Sequence, residues 1–214
     1  MSDDLLTYEA TQSYLTSLVP PREPELLAME AYAEANDFPI IGPACGYYCY
    51  QLARMIGAKS IFELGSGYGY STAWFAKALK ENGGGIVHHT VWDEELSQQA
   101  RSHLVKLGSE DLVQFHVSEA VAALKQTEGP FDIIFNDIDK QDYPASLSIV
   151  KEKLRPGSLL IIDNMLWHGR IFDKTDFSPA TMGVHEFTKQ ITQDKDWIVS
   201  LTPIRDGMIV AYKK

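Results

Sequence analysis

A glycine-rich turn between an apolar segment and a helix constrains the fold of this chain more than any other feature. Residues 60–71 read SIFELGSGYGYS: an apolar strand that ends in an acid, then Gly-x-Gly-x-Gly, then the start of a helix. This order lets the backbone approach a small ligand closely at the carboxyl end of a parallel sheet. The segment therefore predicts the first strand and helix of a nucleotide-type binding fold.

Apolar and helical stretches alternate along the rest of the chain. Short, nearly continuous apolar strands separated by helices are typical of a parallel sheet covered on both faces. Strands are predicted at 60–64, 86–92, 112–117, 131–136, 158–163, 197–201 and 208–212, and helices at 25–36, 47–56, 72–81, 95–107, 119–126, 143–154 and 181–193. Residues 38–43 are predicted to be extended, and residues 155–157 (RPG) to form a turn.

The last two predicted strands are joined through Pro203 and the pair Asp206-Gly207. Such a joint resembles a hairpin, so these strands should form an antiparallel pair at one edge of the sheet. The prediction is an α/β fold with a doubly wound, seven-stranded sheet and an antiparallel last strand. It comprises a single domain, residues 1–214, that begins with a helical segment at 1–40.

Composition and charge exclude several classes of protein. A formal charge of -10 and a pI near 5.0 argue against a general nucleic-acid binder, which needs a basic surface. No apolar run reaches 18 residues, and the acidic start MSDDL lacks the features of a signal peptide. Cys45 and Cys49 would share a helix face, where a disulfide is unfavourable, so a reducing compartment fits. We predict a cytoplasmic protein without membrane or nucleic-acid partners.

The spacing of the glycines indicates which cofactor the turn binds. The dinucleotide fingerprint is Gly-x-Gly-x-x-Gly, whereas here the third glycine comes one residue early. This favours S-adenosylmethionine (SAM) over NAD. Gly65 and Gly67 would let the backbone pass close to the adenosine and methionine moieties. Glu63 could hold the ammonium group of the methionine part, directly or through water.

Two further acids follow the second and third predicted strands. Asp93 is the candidate for binding the ribose hydroxyl groups, or else it caps the helix that follows it. Glu119 could accept a hydrogen bond from the amine of adenine, or it could favour the N-terminus of its own helix. The sequence leaves both pairs of alternatives open.

Oxygen ligands follow the fourth and fifth predicted strands. Asp137 comes at the end of one, and Asp163-Asn164 at the end of the next. Adjacent strand ends of a parallel sheet open into the same crevice, so these side chains should lie close together. Two carboxylates and an amide oxygen suit a hard cation, Mg²⁺ first and Mn²⁺ or Ca²⁺ next. No Cys/His set with zinc spacing competes with them.

Lys140 lies three residues after Asp137, beside the predicted cation site. A neighbouring cation disfavours the ammonium form, so this lysine could act as a general base. The alternative is a surface lysine paired with Asp139 or Asp142.

Three segments of the chain resemble motifs of one enzyme family. Residues 137–143 (DIDKQDY), 163–169 (DNMLWHG) and 203–207 (PIRDG) are similar to Asp-Ala-Asp-Lys-x-x-Tyr, Asp-Asn-x-Leu-Trp-x-Gly and Pro-x-x-Asp-Gly. These motifs are typical of the cation-dependent O-methyltransferases, the family of catechol and caffeoyl-coenzyme A O-methyltransferases and their bacterial relatives. The resemblance runs in order from about residue 21 to the C-terminus.

The resemblance implies methyl transfer from SAM to a hydroxyl group of a small catechol-like or phenolic acceptor, by a homodimer. It implies metal ligands at Asp137, Asp163 and Asn164 and a catalytic base at Lys140, beside Asp137. The cofactor is expected near Glu63, Gly65, Tyr68, Ser71 and Asp137, with Gly42 and Gly46 in the segment that covers it. The chain departs from the family at Val91, where an acid for the ribose is usual.

Two other functions compete with this one. A dinucleotide-dependent oxidoreductase could use the same sheet, but the early third glycine and the oxygen-ligand cluster speak against it. A non-catalytic SAM-binding protein could keep the fold, although Lys140 beside three cation ligands makes that role less expected. Trp167 and His168 could line the acceptor pocket, and residues 172–182 could form a mobile flap over it.

Overall fold

A seven-stranded sheet lies at the centre of the computed structural model, which describes residues 7–214. The strands are β1 (Ser60–Leu64), β2 (Ile86–Val91), β3 (Val113–Val117), β4 (Phe131–Asn136), β5 (Leu154–Ile162), β6 (Trp197–Thr202) and β7 (Met208–Lys213). The acidic residues 1–5, on which the prediction of no signal peptide rested, lie outside the described residues.

The strands are arranged in the order β3-β2-β1-β4-β5-β7-β6. Strands β1 to β5 pair in parallel, and β7 is antiparallel to both of its neighbours, β5 and β6. The α/β fold with an antiparallel last strand is therefore confirmed. The last strand lies between β5 and β6, so β6 forms the edge.

Helices cover both faces of this sheet. They are α1 (Tyr8–Ser17), α2 (Pro24–Asn36), α3 (Gly42–Met55), α4 (Tyr70–Glu81), α5 (Glu94–Lys106), α6 (Ala120–Gln126), α7 (Tyr143–Lys153) and α8 (Pro179–Gln193). Short 3₁₀ turns occur at Glu110–Leu112, Lys140–Asp142 and Trp167–Phe172. No helix among residues 7–214 is both long and apolar enough to cross a membrane.

Two predicted segments differ from the structure. Helix α3 begins at Gly42, inside the stretch predicted to be extended, and Pro43 occupies its first turn, where a missing N–H costs nothing. The predicted turn at 155–157 lies within β5. Leu154 pairs with Phe131 while Leu159 pairs with Ile133, so the residues between them bulge out of the ladder.

The core is divided by the sheet into two layers, because successive strand residues point to opposite faces. Ile61 and Phe135 face the layer that contains α2, α3 and α4. Phe62 and Ile134 face the layer of α6, α7 and α8. All residues of β4 are buried, as expected for a central strand covered on both sides. This burial fixes the strand ends that carry the polar residues of the site.

Candidate active site

The carboxyl ends of the parallel strands open into a cavity of about 810 Å³. The glycine turn after β1 forms one wall, and the segments that follow β2, β3 and β4 form others. Asn164, Trp167, His168 and Arg205 complete the lining on the side of β5. The cavity thus extends from the predicted cofactor turn to the predicted cation site.

The glycine turn is fixed to both neighbouring strands. Gly65 has a φ of +86°, and a Cβ there would lie 2.7 Å from the carbonyl oxygen of Asp137, so a larger residue would push the turn off β4. The Ser66 N–H donates to the Thr90 carbonyl oxygen, and the Thr90 N–H donates to Ser66 Oγ, each at 3.0 Å. This packing gives the turn a set position against the strand ends.

The structure brings Gly65, Gly67 and Ser71 to the cavity, as predicted. Tyr68 also lies in the wall, but its hydroxyl group donates to the Met29 carbonyl oxygen at 2.8 Å and its side chain is buried. The Tyr68 hydroxyl group therefore holds α2 against the turn, and its proton is engaged in that contact.

Glu63 lies beneath the turn, is fully buried and does not itself line the cavity. Thr72 Oγ1 donates to Glu63 Oε2, while Glu63 Oε1 has no hydrogen-bond partner in the described part of the chain. Burial raises the pKa of Glu63 to about 7, and nearby hydroxyl groups, Ser71 first, act to lower it. A buried carboxylate with one unpartnered oxygen is a suitable partner for a ligand ammonium group.

Asp93 and Glu119, for which the sequence left two alternatives each, both cap the helices that follow them. Asp93 Oδ1 accepts from the Leu96 N–H at 2.9 Å, and Asp93 does not line the cavity. Glu119 lines the cavity, but its two oxygens accept from the N–H groups of Val121 and Ala122 at 2.8 and 2.7 Å. The geometry thus gives Asp93 the capping alternative and places it outside the cavity lining.

Neither of the two glycines expected above the cofactor lines the cavity. A Cβ on Gly46 would lie 2.2 Å from Trp74 Nε1, so this glycine allows α3 to pack closely against α4. A Cβ on Gly42 would lie 4.0 Å from Arg205 Cδ, which places Gly42 beside the far end of the cavity.

The predicted cation ligands come together at the ends of β4 and β5. Asp137 and Asn164 line the cavity, whereas Asp163 is fully buried behind it. Asp163 Oδ2 accepts from Arg205 at 3.2 Å, and its Oδ1 has no partner among residues 7–214. Burial, together with the charge of Asp137, raises the pKa of Asp163. A cation at Oδ1 would offset both effects, so these residues fit a divalent ion.

Asn164 is oriented by an interaction that the sequence did not reveal. Its Nδ2 donates to Asp206 Oδ2 at 3.3 Å, which leaves the amide oxygen as the remaining ligand atom. Asp206 Oδ1 also accepts from the His168 N–H at 2.6 Å. Within the described residues, no three Asp, Glu, His or Cys side chains form a metal-binding group. A cation would therefore need Asn164 and further oxygens from water or an acceptor.

Lys140 contacts this cluster directly. Its Nζ lies 2.8 Å from Asp137 Oδ1 and also donates to the Ile138 carbonyl oxygen at 3.3 Å. The rings of Tyr143 and Trp167 lie 5.4 and 5.8 Å from the same nitrogen. The side chain is only 11 % exposed, so the alternative of a solvated surface lysine does not describe it.

Arg205, like Asp206, is a residue of the site that the sequence analysis did not identify. The Arg205 N–H donates to Gln12 Oε1 at 2.8 Å, which connects this loop to α1. The signal was present, because a basic residue stands in the segment before β7, next to the end of β5. Trp167 and His168 line the cavity as predicted, whereas none of residues 172–182 does.

Comparison with known proteins decides the family. Residues 25–214 match the family model described as O-methyltransferase. The chain belongs to this family. It is 31% identical to a catechol O-methyltransferase of Niastella koreensis over 218 residues, which cover 97% of this chain and 98% of that protein.

Two solved structures resemble this O-methyltransferase closely. The O-methyltransferase of Bacillus cereus in complex with SAH has a TM-score of 0.86 and 29% identity, and covers 96% of this chain and 97% of its own. TomG of Streptomyces achromogenes, which is involved in tomaymycin synthesis and was solved with SAM, has a TM-score of 0.85 and 25% identity. The match covers 100% of this chain and 99% of the TomG chain. The protein is a SAM-dependent O-methyltransferase, and the oxidoreductase alternative is not favoured.

Proposed function

We propose that this O-methyltransferase depends on a divalent cation and methylates one hydroxyl group of a small catechol-like or phenolic acceptor. The observation that carries the proposal is the buried Asp163, whose unpartnered Oδ1 lies at the strand ends with Asp137 and Asn164. Mg²⁺ suits such hard oxygen ligands, and Mn²⁺ or Ca²⁺ are alternatives. A cation held there would lower the pKa of an acceptor hydroxyl group and fix its orientation.

The remaining chemistry belongs to side chains of the site. Beside a bound cation, which disfavours its ammonium form, Lys140 as the neutral amine would take the proton of the acceptor hydroxyl group, and the adjacent Asp137 carboxylate would then pair with the ammonium that results. Asp206 would keep the Asn164 amide turned so that its oxygen faces the ligand. Arg205 offsets part of the negative charge of Asp163.

The cofactor would lie along the glycine turn, where it supplies the methyl group. Gly65, Gly67 and Ser71 would form its wall, and Glu63, buried beneath that wall, would hold its ammonium group directly or through water. The end of β1 would thus take the methionine part, and the ends of β2 and β3 would take the adenosine part. The strongest support is that Glu63 is buried next to the turn and still has a free acceptor atom.

Asp163→Asn tests the cation site without adding volume. Calorimetric titration with Mg²⁺ or Mn²⁺ should show a loss of cation affinity on the order of 100-fold, since even supporting residues of metal sites contribute about 10–100-fold. SAH affinity should stay within about 3-fold, because the glycine turn is unchanged. Asp111→Asn, at an exposed position outside the cavity, is the matched control. Unchanged cation affinity in Asp163→Asn would contradict the proposed site.

Lys140→Ala tests the base. Turnover should fall by about 10²–10⁴-fold, as is typical when a general base is removed. Lys140→Arg keeps the positive charge but cannot release a proton at neutral pH, so it should be equally impaired. Full turnover in either variant would exclude Lys140 as the base.

SAM binding by the wild type without turnover on any vicinal diol or phenol would favour the non-catalytic alternative.

We make further proposals about the location, the domain organisation, the mobility and the oligomeric state of the protein. Cys45 and Cys49 are buried and unpaired, which supports a reducing, cytoplasmic location. We also propose that residues 1–214 act as one domain, and that residues 172–182 move over the acceptor. The homodimer rests on the family resemblance, and light scattering in solution tests it.

A further inference from the structure

The end of β2 presents no carboxylate to the cavity. Asp93 points into the first turn of α5, where it accepts from the Leu96 N–H. Both oxygens of Glu119 are engaged by the first turn of α6. Nucleotide-binding sheets of this kind commonly use an acid at the end of the second strand to bind ribose hydroxyl groups. Of the two candidate acids, Asp93 does not line the cavity, and Glu119 lines it after β3 with each oxygen already accepting one backbone hydrogen bond.

An apolar wall occupies the position instead. Val91 ends β2 and is 7% exposed, and Trp92 follows it and is 73% exposed while lining the cavity. Leu96 and Ala120 line the cavity as well. A large indole that remains so exposed in the ligand-free protein offers a flat surface against which a base or sugar can pack.

Besides Glu119, the polar side chains of this wall are single hydroxyl groups and one ammonium. Ser66 Oγ already accepts from the Thr90 N–H, and Ser118 Oγ donates to the Glu119 carbonyl oxygen at 3.3 Å. The Thr90 hydroxyl group is fully buried and has no hydrogen-bond partner in the described part of the chain. Lys125 also reaches the cavity, but an ammonium only donates hydrogen bonds. None of these groups can accept from two hydroxyl groups as one carboxylate does.

We propose that Trp92 and Val91 form an apolar platform that recognises the adenosine part of SAM by packing, without a carboxylate at the end of β2 for the ribose hydroxyl groups. The inference rests on the use of SAM by this chain. A site built to hydrogen-bond a hydroxyl group strongly rejects analogues that lack it, because its own polar group is left unpaired, whereas an apolar wall does not. The platform should therefore tolerate changes at the ribose.

Calorimetry with SAH and its 2′-deoxy and 3′-deoxy analogues tests the platform directly. Both analogues should bind the wild type within about 3-fold of SAH. Trp92→Ala should weaken SAH by about 10-fold or more, since stacking of a base on an aromatic ring makes a contribution of that size. Trp92→Phe should lose less SAH affinity than Trp92→Ala, because it keeps an aromatic ring. Tyr14→Ala removes an aromatic side chain that is 66% exposed and lies outside the cavity, and it should leave SAH binding unchanged.

Val91→Glu supplies the missing acid. This variant should prefer SAH over the deoxy analogues by about 10-fold or more, a discrimination that the wild type lacks. A wild type that rejects the deoxy analogues by more than about 10-fold, or a Trp92→Ala variant with unchanged SAH affinity, would overturn the platform. These two results do not depend on whether Val91→Glu folds. Absence of any SAH binding to the wild type would instead refute the use of the cofactor itself.

Discussion

Replacing Glu63 by Gln should stabilise the ligand-free protein at alkaline pH. Glu63 is fully buried, and burial raises its pKa from the ordinary value of 4.5 to about 7. A carboxyl group with a raised pKa binds its proton more tightly in the folded state than in the unfolded state. Folding stability should therefore fall as the pH rises from about 4.5 to about 7, and stay low above that window.

The magnitude follows from the difference between the two pKa values. At 1.36 kcal/mol per pH unit, the change from 4.5 to about 7 corresponds to roughly 3 kcal/mol at pH 8. Gln can still accept the hydrogen bond from the Thr72 hydroxyl group but carries no charge. The variant should thus be more stable than the wild type at pH 8 by up to about 3 kcal/mol, and nearly equal to it at pH 4.

Urea unfolding of both proteins at several pH values measures this difference. Subtracting one profile from the other removes the contribution of the other titrating groups. The same substitution should weaken SAH binding, because the ligand ammonium would lose its anionic partner. Parallel pH profiles for the wild type and Glu63→Gln would refute the reasoning about the buried charge.

Three further substitutions test the packing and electrostatics of the site. Arg205→Ala removes a positive charge beside the cation site and should raise Mg²⁺ affinity by about 10-fold, measured by calorimetry with Arg101→Ala as the control. Asp206→Asn places an amide opposite the Asn164 amide and should weaken Mg²⁺ binding by about 10-fold or more, with SAH binding unchanged. Gly46→Ala should destabilise the protein by about 1–3 kcal/mol in thermal unfolding, because the added Cβ would overlap the indole of α4. An unchanged Mg²⁺ affinity in Arg205→Ala or Asp206→Asn, or an unchanged thermal stability in Gly46→Ala, would contradict the role given to that residue.

Local patterns predicted the elements that carry the site. The predicted strands at 60–64 and 131–136 have the same bounds as β1 and β4, because apolar runs covered on both faces are unambiguous in the sequence. The glycine turn, and the polar residues after β4 and β5, followed from these strand ends. Their convergence in one crevice is a property of adjacent parallel strands and needed no side-chain geometry.

Local sequence patterns could not predict contacts between segments that are far apart in the chain. Asp93 suits a helix cap and a ribose ligand equally well, and only the direction of its side chain distinguishes the two roles. The Arg205 loop is held by Gln12, which lies 193 residues earlier in the chain. The close approach of Gly46 to α4 likewise depends on helix packing. The position of β7 between β5 and β6 arises from pairing order, which local patterns do not encode.

Methylation of catechol in the presence of Mg²⁺, and again after chelation with EDTA, tests the central claim most directly. The protein, SAM and catechol are incubated together, and the methylated catechol and SAH are quantified by mass spectrometry. The account predicts equal amounts of both products with Mg²⁺, a fall in rate on the order of 100-fold or more in EDTA, and recovery when excess Mg²⁺ is added. Undiminished methylation in EDTA, or in Asp163→Asn, would contradict the cation-dependent mechanism.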